Sequence, residues 1–153
     1  MSYQFVLVGR GSAALLMVWL LLSSCSTKRD VVDPRDAYVG TWIEKSTNGK
    51  AATVGQEDQL LVGKGATADA ISLKGLTAAD LSATANGTGY RVADGAINTG
   101  FVYSFPDKST APVYAQNLTA TAADGQLTVT YNLLAQSSTA LATGDISEVF
   151  IKK

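Results

Sequence analysis

Three observations in this 153-residue sequence predict an all-β fold, a small antiparallel up-and-down barrel of about eight strands. The first is the stretch around Asp124-Gly125, where Leu118-Thr-Ala-Thr-Ala122 and Leu127-Thr-Val-Thr-Tyr-Asn-Leu133 alternate apolar and polar residues on both sides of a dipeptide suited to a hairpin turn. The second is the texture of everything after residue 36: short, threonine-rich apolar runs punctuated by Asn-Gly and Asp-Gly pairs. The third is the lack of any sustained 3.6-residue apolar period, which argues against helices.

The first element is not part of the barrel. Of the first 25 residues 17 are apolar, and residues 13–22 (AALLMVWLLL) form an uninterrupted block. Ten residues are too few to cross a bilayer, which takes about 20. Arg10 precedes the block as the only charge before Cys25, and small residues follow it, the layout of a secretory signal peptide. Leu22-Ser23-Ser24-Cys25 resembles a bacterial lipobox. The chemistry accounts for the pattern, since cysteine offers the thiol that takes a diacylglyceryl group and small residues let a peptidase reach the bond before it. The resemblance implies cleavage before Cys25, a diacylglyceryl thioether on its sulfur and a further acyl chain (such as palmitate) on the new amino terminus. Several acyl chains make a membrane anchor far firmer than a single myristoyl group.

Residues 1–24 therefore read as a lipoprotein signal peptide, 25–35 as the lipidated Cys25 with a polar tether, and 36–153 as the barrel domain. Asp33-Pro34-Arg35-Asp36 predicts a turn or one helical turn capped by aspartate. Asp30, Asp33 and Asp36 are spaced by three, unlike the alternate ligand positions of an EF-hand loop, and are read as capping residues and not as a calcium site. Strands follow over 38–45, 58–62, 70–76, 81–85, 90–97, 101–105, 118–122, 127–133 and 146–152. Asn48-Gly49, Asn86-Gly87 and Asp94-Gly95 mark turns or bulges, and residues 77–80 have room for one helical turn at most. In the clearest hairpin, Leu127, Val129, Tyr131 and Leu133 are expected to face the core, with Thr128 and Thr130 outward.

Asp36-Ala37-Tyr38-Val39-Gly40-Thr41-Trp42, soon after a lipobox, resembles the opening of small lipocalin-like (calycin-like) outer-membrane lipoproteins of Bacteroidetes. Two further stretches share the likeness, Ala70-Ile-Ser-Leu-Lys-Gly-Leu76 and residues 118–131. The resemblance runs from Cys25 to the end of the chain and implies a location and a fold but no activity. Gly40-x-Trp42 is also similar to the lipocalin Gly-x-Trp, in which the Trp closes the barrel floor under an Arg from the end of the barrel. The last strand here offers only Lys152 and Lys153, so that packing pair is expected to be missing.

Composition excludes several function classes. The chain has no histidine and one cysteine, which removes Ser-His-Asp and Cys-His catalysis, imidazole-ligated metals and any internal disulfide. A net charge of −1 offers no electrostatic footprint for nucleic acid. Glu57-Asp58 is the sole adjacent carboxylate pair, and strand neighbours point to opposite faces. Gly63-Lys64-Gly65 lacks the upstream glycine and following hydroxyl of a phosphate loop, and Gly87-x-Gly89 precedes no helix pattern. No catalytic residue, metal ligand or cofactor is expected, and the chain reads as a non-enzyme.

Two non-catalytic readings stay open. One is a binding module whose barrel holds a small apolar ligand, lipid or glycan through Trp42, Tyr90, Phe101, Tyr103, Phe105 and Tyr131, with Tyr114 nearby; the same aromatic stripe also reads as plain core. The other is an interaction or accessory protein, an inhibitor or subunit of an outer-membrane complex. It would act through loops at 53–58, 106–112 and 136–144, the last expected to be poorly ordered. The partners expected are the membrane through Cys25 and either a small apolar ligand or an envelope protein, with oligomeric state open. Ser26 after the cysteine, not Asp, favours the outer membrane. The basic Lys28-Arg29 favours its periplasmic leaflet over the cell surface.

Overall fold

A computed structural model describes residues 31–77, 79–93 and 95–153. The signal segment and the lipidation residue Cys25 lie outside the described residues. The compact unit spans Asp33–Lys153, and thus takes in Asp33, Pro34 and Arg35 as well as the expected 36–153.

The chain opens with a short 3-10 turn, Pro34–Ala37, and continues through ten strands. They are β1 (Gly40–Thr47), β2 (Lys50–Ala51), β3 (Gln59–Lys64), β4 (Ala70–Lys74), β5 (Leu81–Asn86), β6 (Gly89–Val92), β7 (Ile97–Ser104), β8 (Thr110–Ala123), β9 (Gln126–Gln136) and β10 (Leu141–Lys152). Eight of them, β1-β3-β4-β5-β6-β8-β9-β10, pair antiparallel in that order, and β10 returns to β1 to close an up-and-down barrel. The expected all-β barrel is what forms.

Turn chemistry sets the registers. Asp124 and Gly125 both take positive φ (51° and 73°), so β8 and β9 meet through a two-residue turn with Ala123 opposite Gln126. Asn48 and Gly49 (48° and 76°) do the same between β1 and β2. The Asn48 side chain also bonds the backbone of Ser147 and Asp145, which ties off the β10 edge where β1 leaves it.

The inward residues fill the barrel. Trp42, Leu60, Val62, Ile71, Leu73, Leu118, Leu127, Val129 and Phe150 are almost wholly shielded from solvent. The alternate positions, such as Ser82, Thr84 and Thr130, face water. A membrane-spanning barrel carries its apolar band outside instead.

One end is closed. Asp33 caps the 3-10 turn by accepting from Arg35 N at 3.0 Å, and Lys64 pairs with both Asp33 and Asp36 at 2.9 and 2.7 Å. Arg35 also reaches the Thr67 carbonyl, so charge pairs fasten the plug to β3 and the loop after it. Beneath it, Tyr38 meets Tyr90 edge-to-face at 4.7 Å, and Trp42 Nε1 donates to the Tyr38 carbonyl at 2.7 Å. Lys152 Nζ lies 5.5 Å from the Trp42 ring centroid. The cation absent from the sequence as an arginine is thus supplied by a lysine, a correction to the expectation of a missing pair.

The other end departs from a plain barrel. The run expected as one strand over 90–97 breaks: β6 pairs with the far half of β8 through Tyr90–Ala120, and β7 pairs with the near half through Ile97–Ala115 and Tyr103–Ala111. A bulge between Gln116 and Thr119 marks the change, with Asn117 at φ 55°. Outside it, Arg91, Asn117, Asn132 and Asp145 form a chain of side-chain hydrogen bonds across four strands. The long β8, β9 and β10 therefore rise past the ring with β7 on one edge. This arm holds its own small core of Phe105, Ala111 and Ala135.

Two loop expectations are corrected here. Ala111 and Pro112 lie in β8, so the 106–112 loop is only a turn before it. Residues 136–144 are not a loose loop: Leu141–Gly144 pair with 133–136, and Ser137 Oγ accepts from Ala140 N and Thr139 N in the turn. Thr139 Oγ1 then reaches Asp107 at 2.8 Å, which joins the two turns. Residues 77, 79 and 80 are not helical.

Candidate functional site

At the raised end the inner face of the arm does not fill the barrel. A recess of about 200 Å³ remains there, walled by Leu76, Phe101, Val113, Leu118, Tyr131 and Leu133, with more apolar than polar surface. Each wall residue has a local cause. Leu118 continues the inward alternation of β8 after the Asn117 bulge, and Val113 continues it before the bulge, because the extra residue restores the face. Tyr131 and Leu133 follow Leu127 and Val129 at a spacing of two. Phe101 sits beside Gly100 (φ 82°), in a bulge where Thr99 Oγ1 donates to the Val113 carbonyl at 2.8 Å. Phe101 stays 73% exposed, so one side of the recess is a wet aromatic rim.

The floor is polar. Tyr131 donates its hydroxyl to Glu148 Oε1 at 2.7 Å. Glu148 points inward for the same reason as Ile146 and Phe150, the alternation of β10. Thr47 stands opposite Glu148 in the β1–β10 register, and its hydroxyl bonds Glu44 Oε1. Glu44 Oε2 accepts from Asp58 N at 3.3 Å. Glu44, Asp58 and Glu148 thus lie near one another on β1, just before β3 and on β10, outside the lining of the recess. Burial pushes the Glu148 carboxyl up, the Glu44 and Asp58 charges add to the rise, and the Tyr131 bond opposes it. Burial first, then the Glu148 contact, pushes the Tyr131 phenol well above its ordinary range, so it remains a neutral donor. Among the described residues no cation pairs with Glu44, Asp58 or Glu148: the ion pairs lie at Asp33, Asp36 and Asp80. Among the described residues, the Asp and Glu side chains form no group of three arranged to hold a metal ion.

The six aromatic candidates fall into three places. Trp42 and Tyr90 belong to the closed end and are packed into the core. Phe105 is buried in the arm, edge-to-face with Tyr103 at 4.9 Å. Phe101 and Tyr131 alone among them meet at the recess, and Tyr103 stands half-exposed beyond it. Sequence reasoning missed Glu148 and Glu44, because acids scattered singly read as solvated surface. The signal was present in the alternation Ile146-x-Glu148-x-Phe150 and Trp42-x-Glu44, which puts each acid on the inward face.

Compared with protein-family models, with curated proteins and with solved structures, the chain matches none.

Proposed function

We propose that this chain is a lipid-anchored outer-membrane protein, held at the periplasmic leaflet through Cys25, whose non-catalytic barrel binds a small apolar ligand. The recess carries the reading. It is concave, mostly apolar and partly open, and one wall residue, Tyr131, is held by a hydrogen bond to Glu148, features in keeping with a small-molecule site. Its size is below the roughly 300–1,000 Å³ of a drug-sized site, which suits the end of an acyl chain or a single ring better than a whole lipid. Leu22-Ser23-Ser24-Cys25 supports the anchor.

Native mass spectrometry of the purified protein tests the binding claim: a co-purified small molecule, lost on Leu133→Glu, is the expected result, and a bare mass with no uptake of added alkyl ligands defeats it. For the anchor, Cys25→Ala is expected to move the protein from the membrane to the periplasmic fraction.

The alternative is an accessory subunit that docks a protein partner. Exposed Phe101, Val102 and Tyr103 on β7 favour it. In that case Val102→Asp abolishes co-purification of the partner while leaving alkyl-ligand uptake intact.

A further inference from the structure

The two ends of the barrel differ in what is attached to them. Antiparallel strand order gathers the turns at 65–69, 87–88 and 124–125 at one end. The Pro34–Ala37 plug lies there too, as does Lys153, whose N–H donates to the Thr41 carbonyl at 2.9 Å. The recess, β7 and the tip of the arm belong to the other end. Asp33 is pinned by Arg35 N and Lys64 Nζ, at 3.0 and 2.9 Å, and Arg35 is tied to the Thr67 carbonyl. The chain before Asp33 therefore leaves from a fixed point at the closed end. Directly ahead of that point stand Val31 and Val32, 91% and 77% exposed, an adjacent apolar pair left in water.

We infer that the closed end is a lipid-contact face: Val31 and Val32 enter the headgroup region, the closed-end turns face it, and the recess opens away from the bilayer. The inference rests on the Cys25 anchor proposed above and adds which face meets the membrane. Covalent reach favours this face. Residues 26–33, fully extended, span at most about 28 Å. β9, with 11 residues, runs about 35 Å from the closed-end turn to the arm. Bringing the arm to the lipid would draw the tether taut along the barrel, at the cost of conformational entropy in every residue so ordered. Valine burial acts in the same direction, because Val31 and Val32 leave water only when the closed end is near the bilayer. Charge does not oppose it. Arg35 and Lys64 pair with Asp33 and Asp36, and Lys152 and Lys153 offset Asp69 and Asp124, so this end has no net negative charge for anionic lipid to repel. The larger share of the described acids lies toward the other end, Asp58, Asp107 and Asp145 among them.

The lipidated protein, reconstituted in phosphatidylethanolamine–phosphatidylglycerol liposomes with a nitroxide on some headgroups, tests the orientation. With the Cys25 thiol held in its thioether, Thr88→Cys and Ser138→Cys each offer one thiol for a fluorophore. Both positions are exposed, the first at the closed end and the second at the arm tip. Quenching severalfold stronger at 88 than at 138 is expected. Equal quenching, or stronger quenching at 138, in protein that floats with the liposomes overturns the orientation and leaves the anchor standing. Protein left behind when the liposomes float defeats the anchor reading and the orientation with it. Val31→Ser combined with Val32→Ser should preserve flotation and lose part of the quenching at 88. Quenching unchanged in that variant overturns the valine contact.

Discussion

Lys152 Nζ stands 5.5 Å over the Trp42 ring, and the same side chain closes on Gly40, where an added Cβ would lie 2.8 Å from Lys152 Cε. The first and last strands of the barrel are thereby clasped through three residues: a glycine, an indole and an ammonium. A cation over an indole at a largely exposed position contributes about 0.5–1 kcal/mol. Lys152→Met keeps the aliphatic cover and loses the charge, so it should cost about that much in urea unfolding, whereas Lys152→Arg should restore it. Equal stability of Lys152→Met and the parent would show that the stem matters and the charge does not.

Gly75 ends β4 with φ 108°, and a Cβ there would meet the Gln59 carbonyl oxygen at 2.3 Å. The obstacle is backbone of a paired strand and cannot swing aside. Gly75→Ala is therefore expected to destabilise the fold by about 3 kcal/mol or more, combining strain with a clash at the β3–β4 seam. Thermal unfolding checks it; a drop in Tm no larger than that of an ordinary surface substitution would be inconsistent with the close approach.

Asn117 holds the bulge at which β8 changes neighbours, at φ 55°, with its amide bonded to Asn132 and Arg91. Asn117→Gly should be tolerated within about 0.5 kcal/mol, and Asn117→Val should cost about 2 kcal/mol, since a β-branched residue resists positive φ. Hydrogen exchange would locate the loss in β7 and the upper half of β8, and uniform loss across the barrel would speak against a local hinge.

The Tyr131–Glu148 pair gives a pH dependence of definite sign. The Glu148 carboxyl is raised above its ordinary 4.5 chiefly by burial, so the folded state favours the proton more than the unfolded chain does. Its contribution is fully present below pH 4.5 and is lost as pH rises through the elevated folded value. Urea midpoints should therefore fall for the parent across that window and stay flatter for Glu148→Gln. Asp33 acts oppositely: Arg35 and Lys64 hold its carboxyl well below the ordinary 3.8, so its contribution is present above that value and lost on further acidification. Asp33→Asn should remove only the second dependence.

Phe101 separates stability from binding. At 73% exposure it contributes little to the fold, and Phe101→Ser should leave the unfolding midpoint within about 0.5 kcal/mol of the parent. The same change opens one wall of the recess and should weaken octanol binding severalfold in calorimetry. Unaltered affinity would place the ligand elsewhere.

Much of the barrel was legible because strand alternation and turn chemistry are local. Asp124-Gly125, Asn48-Gly49 and the Asp33 cap act over four residues or fewer, and each forms as its sequence implies. The arm was not legible. Its bulges at Asn98–Val102 and Gln116–Thr119 break the period of two, and Pro112 disguises the start of β8 as loop. The site was half-visible for a related reason. Tyr131 and Phe101 stood out as aromatics, but which aromatics line a recess and which fill a core depends on how far β8 and β9 rise past their neighbours. That is a property of several strands at once.

The closing seam also bears on how fast this chain can fold. Glu44 pairs with Phe150, and Lys153 N reaches the Thr41 carbonyl, so the contacts that complete the core join residues more than a hundred positions apart. Each hairpin can form early and locally, yet Trp42 stays uncovered until the final strand arrives. Such long-range closure puts the chain at the slow end of single-domain folding, on the order of milliseconds to seconds. Until then it presents two unpaired sheet edges to whatever escorts it.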